Sequence, residues 1–188
     1  MSKLRLPLFL ILLASVPFII QSCNKDSIIG IAYTTAPFQA NINGNTWAPA
    51  TDSTSFGINY NAGASTKTLV MQGTKEAKQV IFNVTVPGAT NTTGFPLGTY
   101  TIDGTAVTAQ FNIQASAGAP FTPHGTVEAG AGTLTVTGID SVKKQITGTF
   151  AFYSRTTNYD DHGNVISITV DNITGGEFTS VPYKLTSN

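Results

Sequence analysis

The chain has 188 residues with 10 Lys+Arg against 10 Asp+Glu, and charged side chains make up only 11% of it, against about 25% in an ordinary globular domain. No basic cluster exists, which excludes the electrostatic footprint of a nucleic-acid binder, and a lone cysteine, Cys23, excludes an intramolecular disulfide. Thr, Ser, Asn and Gln carry the polar surface, a composition that suits an extracellular β-protein better than a cytosolic enzyme.

At the N-terminus, Lys3 and Arg5 precede an apolar run from Leu6 to Ile20, and Ile20-Gln21-Ser22-Cys23 follows directly. A positive start, a short apolar stretch and small residues before a cut site define a secretory signal. A membrane-spanning helix needs about 20 apolar residues. This run is shorter, and Pro7 and Pro17 interrupt it. Nothing comparable follows, so the mature protein is expected to have no transmembrane helix. Ile20, Ser22 and Cys23 match the bacterial lipobox, in which an aliphatic residue stands two places before a small one and then Cys. That resemblance implies removal of residues 1–22, a thioether-linked diacylglycerol on Cys23, and acylation of the freed amine. One acyl chain holds a protein only marginally, at about 0.8 kcal/mol per buried methylene; two or three give a lasting anchor. The membrane is thereby the first expected partner.

Asn24-Lys25-Asp26 resembles the short charged run that directs Bacteroidota lipoproteins to the cell surface. It implies an outer-membrane location, with the cell surface favoured over the periplasmic face. The absence of Asp directly after Cys23 argues against retention at the inner membrane. Residues 23–36 read as lipidated cysteine and tether, and residues 37–188 as one β-rich domain. Cleavage removes Lys3 and Arg5, leaving 8 basic against 10 acidic side chains and a net charge near −2. The mature length suits a single domain with a real core.

From Phe38 onward the dominant signal is alternation at period two, the mark of a half-buried strand. Val80, Phe82, Val84 and Val86 alternate with polar neighbours, as do Val107, Ala109, Phe111 and Ile113, and Ile146, Phe150 and Phe152. Ile166, Ile168 and Val170 alternate with Ser167, Thr169 and Asp171, which predicts one dry face there too. Leu69 and Met71, Tyr100 and Ile102, and Leu134 and Val136 mark shorter strands. Asn43-Gly44 is a strong two-residue hairpin signal; Lys75–Lys78 and Tyr159–Asn164 separate further strand pairs, and Gly175-Gly176 predicts a bulge or tight bend. About ten strands result, in antiparallel pairing throughout. The fold expected is all-β, a single antiparallel β-sandwich, with a flattened, lipocalin-like meander β-barrel as alternative. In that barrel Phe82, Phe111 and Phe150 would line a cavity for a small apolar ligand.

Two loops stand out as places for function. Ala115–Ala131 is long, rich in small residues and carries two prolines; Pro87–Pro96 is shorter and similar. The hairpin register puts Trp47 beside Ala40 on the apolar face, so it reads as core rather than as a sugar platform. Tyr153 falls in the outward phase of its strand and Tyr159 in the next loop, and together they suggest an exposed aromatic patch. His124 and Glu128 are further candidates for contact with a ligand, and Glu128 is the acid on which a hydrolase alternative would depend. Asp160-Asp161-His162-Gly163-Asn164 lacks the spacing of a calcium loop and reads as a polar hairpin turn. A third zinc ligand for His124 and Glu128 is missing, so no metal and no cofactor are implied. There is no Gly-x-Ser-x-Gly elbow. Asp103, Glu128, Asp140, Asp171 and Glu177 offer no preferred catalytic pair, and Asp171 and Glu177 read as solubilising residues facing water.

Phe38-Gln39-Ala40-Asn41-Ile42-Asn43-Gly44-Asn45-Thr46-Trp47 resembles the F-x-A-x-I-N-G-x-x-W opening of a family of small Bacteroidota lipoproteins of unknown function. Gly132–Val136, Ile146–Phe152 and Ile173–Phe178 resemble the closing hairpins of the same family. The resemblance implies a β-rich lipoprotein domain and carries no catalytic residues. The function expected is a non-enzymatic, lipid-anchored envelope module that binds a glycan or an envelope protein. Asp26-Ser27-Ile28, Asp52-Ser53-Thr54 and Asp140-Ser141-Val142 resemble the Asp-Ser/Thr-apolar O-glycosylation sites of exported Bacteroidota proteins.

Overall fold

The computed structural model describes residues 36–187. The predicted signal, Cys23 and the tether up to residue 35 lie outside the described residues. The strands are β1 (Phe38–Ile42), β2 (Asn45–Trp47), β3 (Thr54–Asn61), β4 (Thr66–Lys75), β5 (Lys78–Pro87) and β6 (Gly98–Thr101), then β7 (Val107–Gln114), β8 (Phe121–Pro123), β9 (Gly132–Asp140), β10 (Gln145–Tyr159), β11 (Val165–Pro182) and β12 (Lys184–Ser187). One six-stranded sheet runs β2-β1-β11-β10-β9-β6 and the other β12-β3-β4-β5-β7-β8. They pack face to face as a β-sandwich and do not close into a barrel. The strands that end the two sheet orders, β2, β6, β12 and β8, are all short, which limits the unpaired backbone they offer to other chains.

Alternation sets the inner faces. In β4, Leu69 and Met71 point inward, as Val80, Phe82 and Val84 do in β5 and Ile146, Phe150 and Phe152 in β10. Phe82 and Phe150 meet edge to face at 5.3 Å, so these rings fill the core rather than line a cavity. Phe38 is a hub, with its ring 5.5 Å from Trp47, 5.3 Å from Phe56 and 5.4 Å from Phe150. Each such pair contributes about 0.5–1.5 kcal/mol beyond area burial. Trp47 pairs with Ala40 and is buried, as the hairpin register requires. Asn43 (φ 53°) and Gly44 (φ 80°) both take positive φ, the two-residue turn that matches strand twist. The predicted bulge falls at Gly175-Gly176, where the register of β11 shifts against both β1 and β10. A Cβ on Gly176 would lie 2.6 Å from the Phe150 ring, so the close approach needs glycine.

Three expectations are corrected. Twelve strands form instead of about ten, because short runs such as β8 and β12 carry too few residues for a clear alternation. Pairing is not antiparallel throughout: β12 runs parallel to β3, with Leu185 opposite Ile58. Last, Ile166, Ile168 and Val170 have no dry face and are all exposed. Beyond Phe152 and Ile173, β10 and β11 outrun β9 and β1 and pair only with each other, apart from one bridge between Thr126 and Arg155. The two strands thus leave the sandwich as an arm.

Candidate functional site: the projecting arm and its base

Opposed residues of an antiparallel pair share a face, so the register gives the arm two unlike sides. Thr156–Thr169 and Asn158–Ser167 form a polar side, on which Asn158 Nδ2 donates to Ser167 Oγ at 2.9 Å. Tyr153, Arg155–Val170, Thr157–Ile168 and Tyr159–Val165 form the other side, in phase with the outer face of the sandwich. Ile166 is the bulged residue between the last two pairs. Of the eight large hydrophobic side chains exposed among the described residues, six are Tyr153, Tyr159, Val165, Ile166, Ile168 and Val170. Their exposures run from 38% to 67%. Aromatic and aliphatic residues of this size then present about 500 Å² of surface, at the upper end of what a monomer ordinarily leaves bare.

The tip closes on Asp160. Its Oδ1 accepts from the backbone N–H of His162 and of Asn164, at 2.9 and 2.7 Å, and its Oδ2 accepts from Asn164 Nδ2 at 3.0 Å. The Asn164 side chain first, then the Asn164 and His162 amides, hold this carboxyl below the usual carboxylate range. The segment is a polar hairpin turn, as its sequence suggested.

The base is clamped from both flanks. On the β11 side, Asn172 N donates to Asn43 Oδ1 at 2.8 Å, and Asn43 Nδ2 donates to Asp171 Oδ1 at 2.8 Å. On the β10 side, Thr126 and Arg155 exchange both backbone hydrogen bonds, at 2.8 and 2.9 Å. Asp171 is 6% exposed, contrary to the expectation that it faces water: it opposes Ser154 in the inward phase of the pair, beneath the segment that follows β8. Its Oδ2 lies 3.4 Å from His124 Nε2, and the His124 ring stands edge-on to Phe111 at 6.0 Å. Glu177 is only half-buried and accepts from Gln39 Nε2.

Ser154, His124 and Asp171 are therefore neighbours, yet they do not form a catalytic triad. Ser154 is fully buried, and its hydroxyl donates to the backbone carbonyl of His124 rather than to the ring. A nucleophile needs both access and a base on its oxygen; here the hydroxyl braces a loop. No group of three or more His, Cys, Asp and Glu side chains suited to a metal occurs among the described residues.

The predicted residues are scattered by the fold. Tyr153 and Tyr159 are both exposed but lie six positions apart on β10, about 20 Å along the strand. They mark opposite ends of the apolar side and do not form one aromatic patch. His124 is drawn to the base of the arm, whereas Glu128 is exposed and does not join it. The Ala115–Ala131 stretch is not one open loop, since β8 and the Thr126 bridge tie it to both sheets.

The Pro87–Pro96 loop is likewise tied down. Phe95 is buried against Tyr100 at 5.7 Å, and Lys67 Nζ donates to Thr92 O, Thr92 Oγ1 and Gly94 O at 2.9, 2.9 and 2.7 Å. Lys67 occupies an inward position of β4, and burial lowers its pKa. A depression of about 390 Å³ lies between it and the loop. Sequence reasoning missed Asn43, Lys67, Arg155 and Asp171 as position-holding residues. Lys67 carried the one usable signal, a cation in the apolar phase of a strand.

No curated protein and no solved structure matches the chain. Residues 34–182 match the family model described as a domain of unknown function, DUF6252. That span takes in the sandwich from β1 to β11 with the arm, and the chain belongs to the DUF6252 family.

Proposed function

We propose that this protein is a non-enzymatic interaction module of the bacterial cell envelope, held at the outer membrane by lipid on Cys23 and displayed at the cell surface. Its partner would be a glycan or an envelope protein, and the Bacteroidota lipoproteins it resembles are its setting. The observation that carries this reading is the arm, where most of the domain's exposed large hydrophobic side chains are gathered. Placement supports it as well. Phe38 pairs with Phe178, whereas Ile42 pairs with Ile173 at the root of the arm, so the chain enters the sandwich at the end away from the arm. Ser53 and Ser141, at two of the Asp-Ser-x sites, are exposed, as a modification there requires.

Protease shaving of intact cells, followed by blotting, tests the location. Loss of the protein from intact cells is expected, and Cys23→Ala should release it from the membrane fraction. Protection until the outer membrane is breached would remove the surface reading; an unchanged membrane fraction in Cys23→Ala would remove the lipid anchor.

A further inference from the structure

We propose that the arm is a homotypic contact, in which the apolar side of one arm packs against the same side of the arm of a second copy across a two-fold axis. This rests on the reading above that the arm is the interaction surface. An isologous contact must be complementary to itself, and the arm meets that demand in both charge and area. Arg155 stands at the root of the apolar side and is the one Lys or Arg between Lys144 and Lys184. Asp160 and Asp161 stand at the tip. Two arms crossing head to tail bring the root of each against the tip of the other, so Arg155 meets the acidic turn of the partner copy twice over.

The midpoint of that overlap falls between Thr157–Ile168 and Tyr159–Val165, the apolar centre of the side. Ile168 then lies against Tyr159 and Val165 of the partner copy, next to the axis. Burying about 500 Å² on each copy gives roughly 1,000 Å² in total, the lower bound for a specific protein interface. The polar side, with Asn158, Ser167 and Thr169 exposed, stays in water and needs no partner.

The test uses the full chain in its own membrane. Ile168→Cys places a thiol beside the axis; Val142→Cys, at a turn where Val142 is 90% exposed, is the control for random encounter. Treatment of cells with a short bis-maleimide should give a cross-linked dimer with Ile168→Cys and none with Val142→Cys. Arg155→Glu in the Ile168→Cys background should cut the dimer about tenfold, since like charges across an interface are strongly disfavoured. Adding Asp161→Arg should restore it. If Ile168→Cys accumulates poorly, Thr157→Cys offers the same position from the facing strand. Cross-linking of Ile168→Cys no greater than that of Val142→Cys, or indifference to the charge exchange, overturns the homotypic contact. A dimer formed by the parent chain itself would mean that Cys23 is a free thiol. That result fails the lipid anchor and is read separately from the arm.

Discussion

Lys67 shows how one side chain can hold a loop in place. An ammonium group at an inward strand position loses its water, and three oxygens of the Pro87–Pro96 loop replace it. Lys67→Met should cost about 1.5–3 kcal/mol, the range for hydrogen bonds to a charged group, with faster amide exchange at Gly94 and a lower urea midpoint. The sign with pH follows from linkage. A lysine whose folded pKa is lowered binds fewer protons in the native state, so stability rises as pH climbs from that lowered value to the ordinary lysine range. That rise should be absent in Lys67→Met. Gly148 is a second such position: a Cβ there would run into the Thr135 carbonyl and the Phe178 ring. Gly148→Ala should lower Tm by several degrees, as about 1–3 kcal/mol of overpacking does in a domain of this size.

The arm is an element that could not stand alone, since an isolated two-stranded ribbon is marginal in water. Its order comes from the Asp160 turn at one end and the clamp around Asn43, Asp171 and Thr126 at the other. Asp160→Ala should fray the tip, raising amide exchange at His162 and Asn164 while Tm of the sandwich stays put. Because the Asp160 pKa is lowered on folding, its support is fully present above the ordinary carboxylate range. It fades as pH falls through the lowered value, and acid titration of those two amides by NMR should show the loss. The strands of the arm were legible in the sequence, but their exposure was not. Period two tells which side chains share a face; it does not tell whether a second sheet lies over that face, and for Ile166, Ile168 and Val170 none does. Asp171 was misread for the complementary reason, since a polar residue in the inward phase resembles a solvated one until its covering segment is known.

At the scale of the whole molecule, turn chemistry made the hairpins readable, from Asn43-Gly44 to the turn at Asp160. What joins distant strands leaves no such mark. Replacing residues 156–169 with a short turn should leave the far-UV spectrum β-rich and move Tm by only a few degrees, because the arm buries little of the core; a collapse of the sandwich would show that the arm is structural. The parallel edge pair carries a different consequence. β12 reaches β3 across more than a hundred residues, and Thr186 donates to Asn59 at a separation of 127. In the other sheet, β1 waits in the same way for the second half of β11. A chain synthesised from its N-terminus presents both waiting edges from the outset and cannot close either until β11 and β12, each more than a hundred residues downstream of its partner, have emerged.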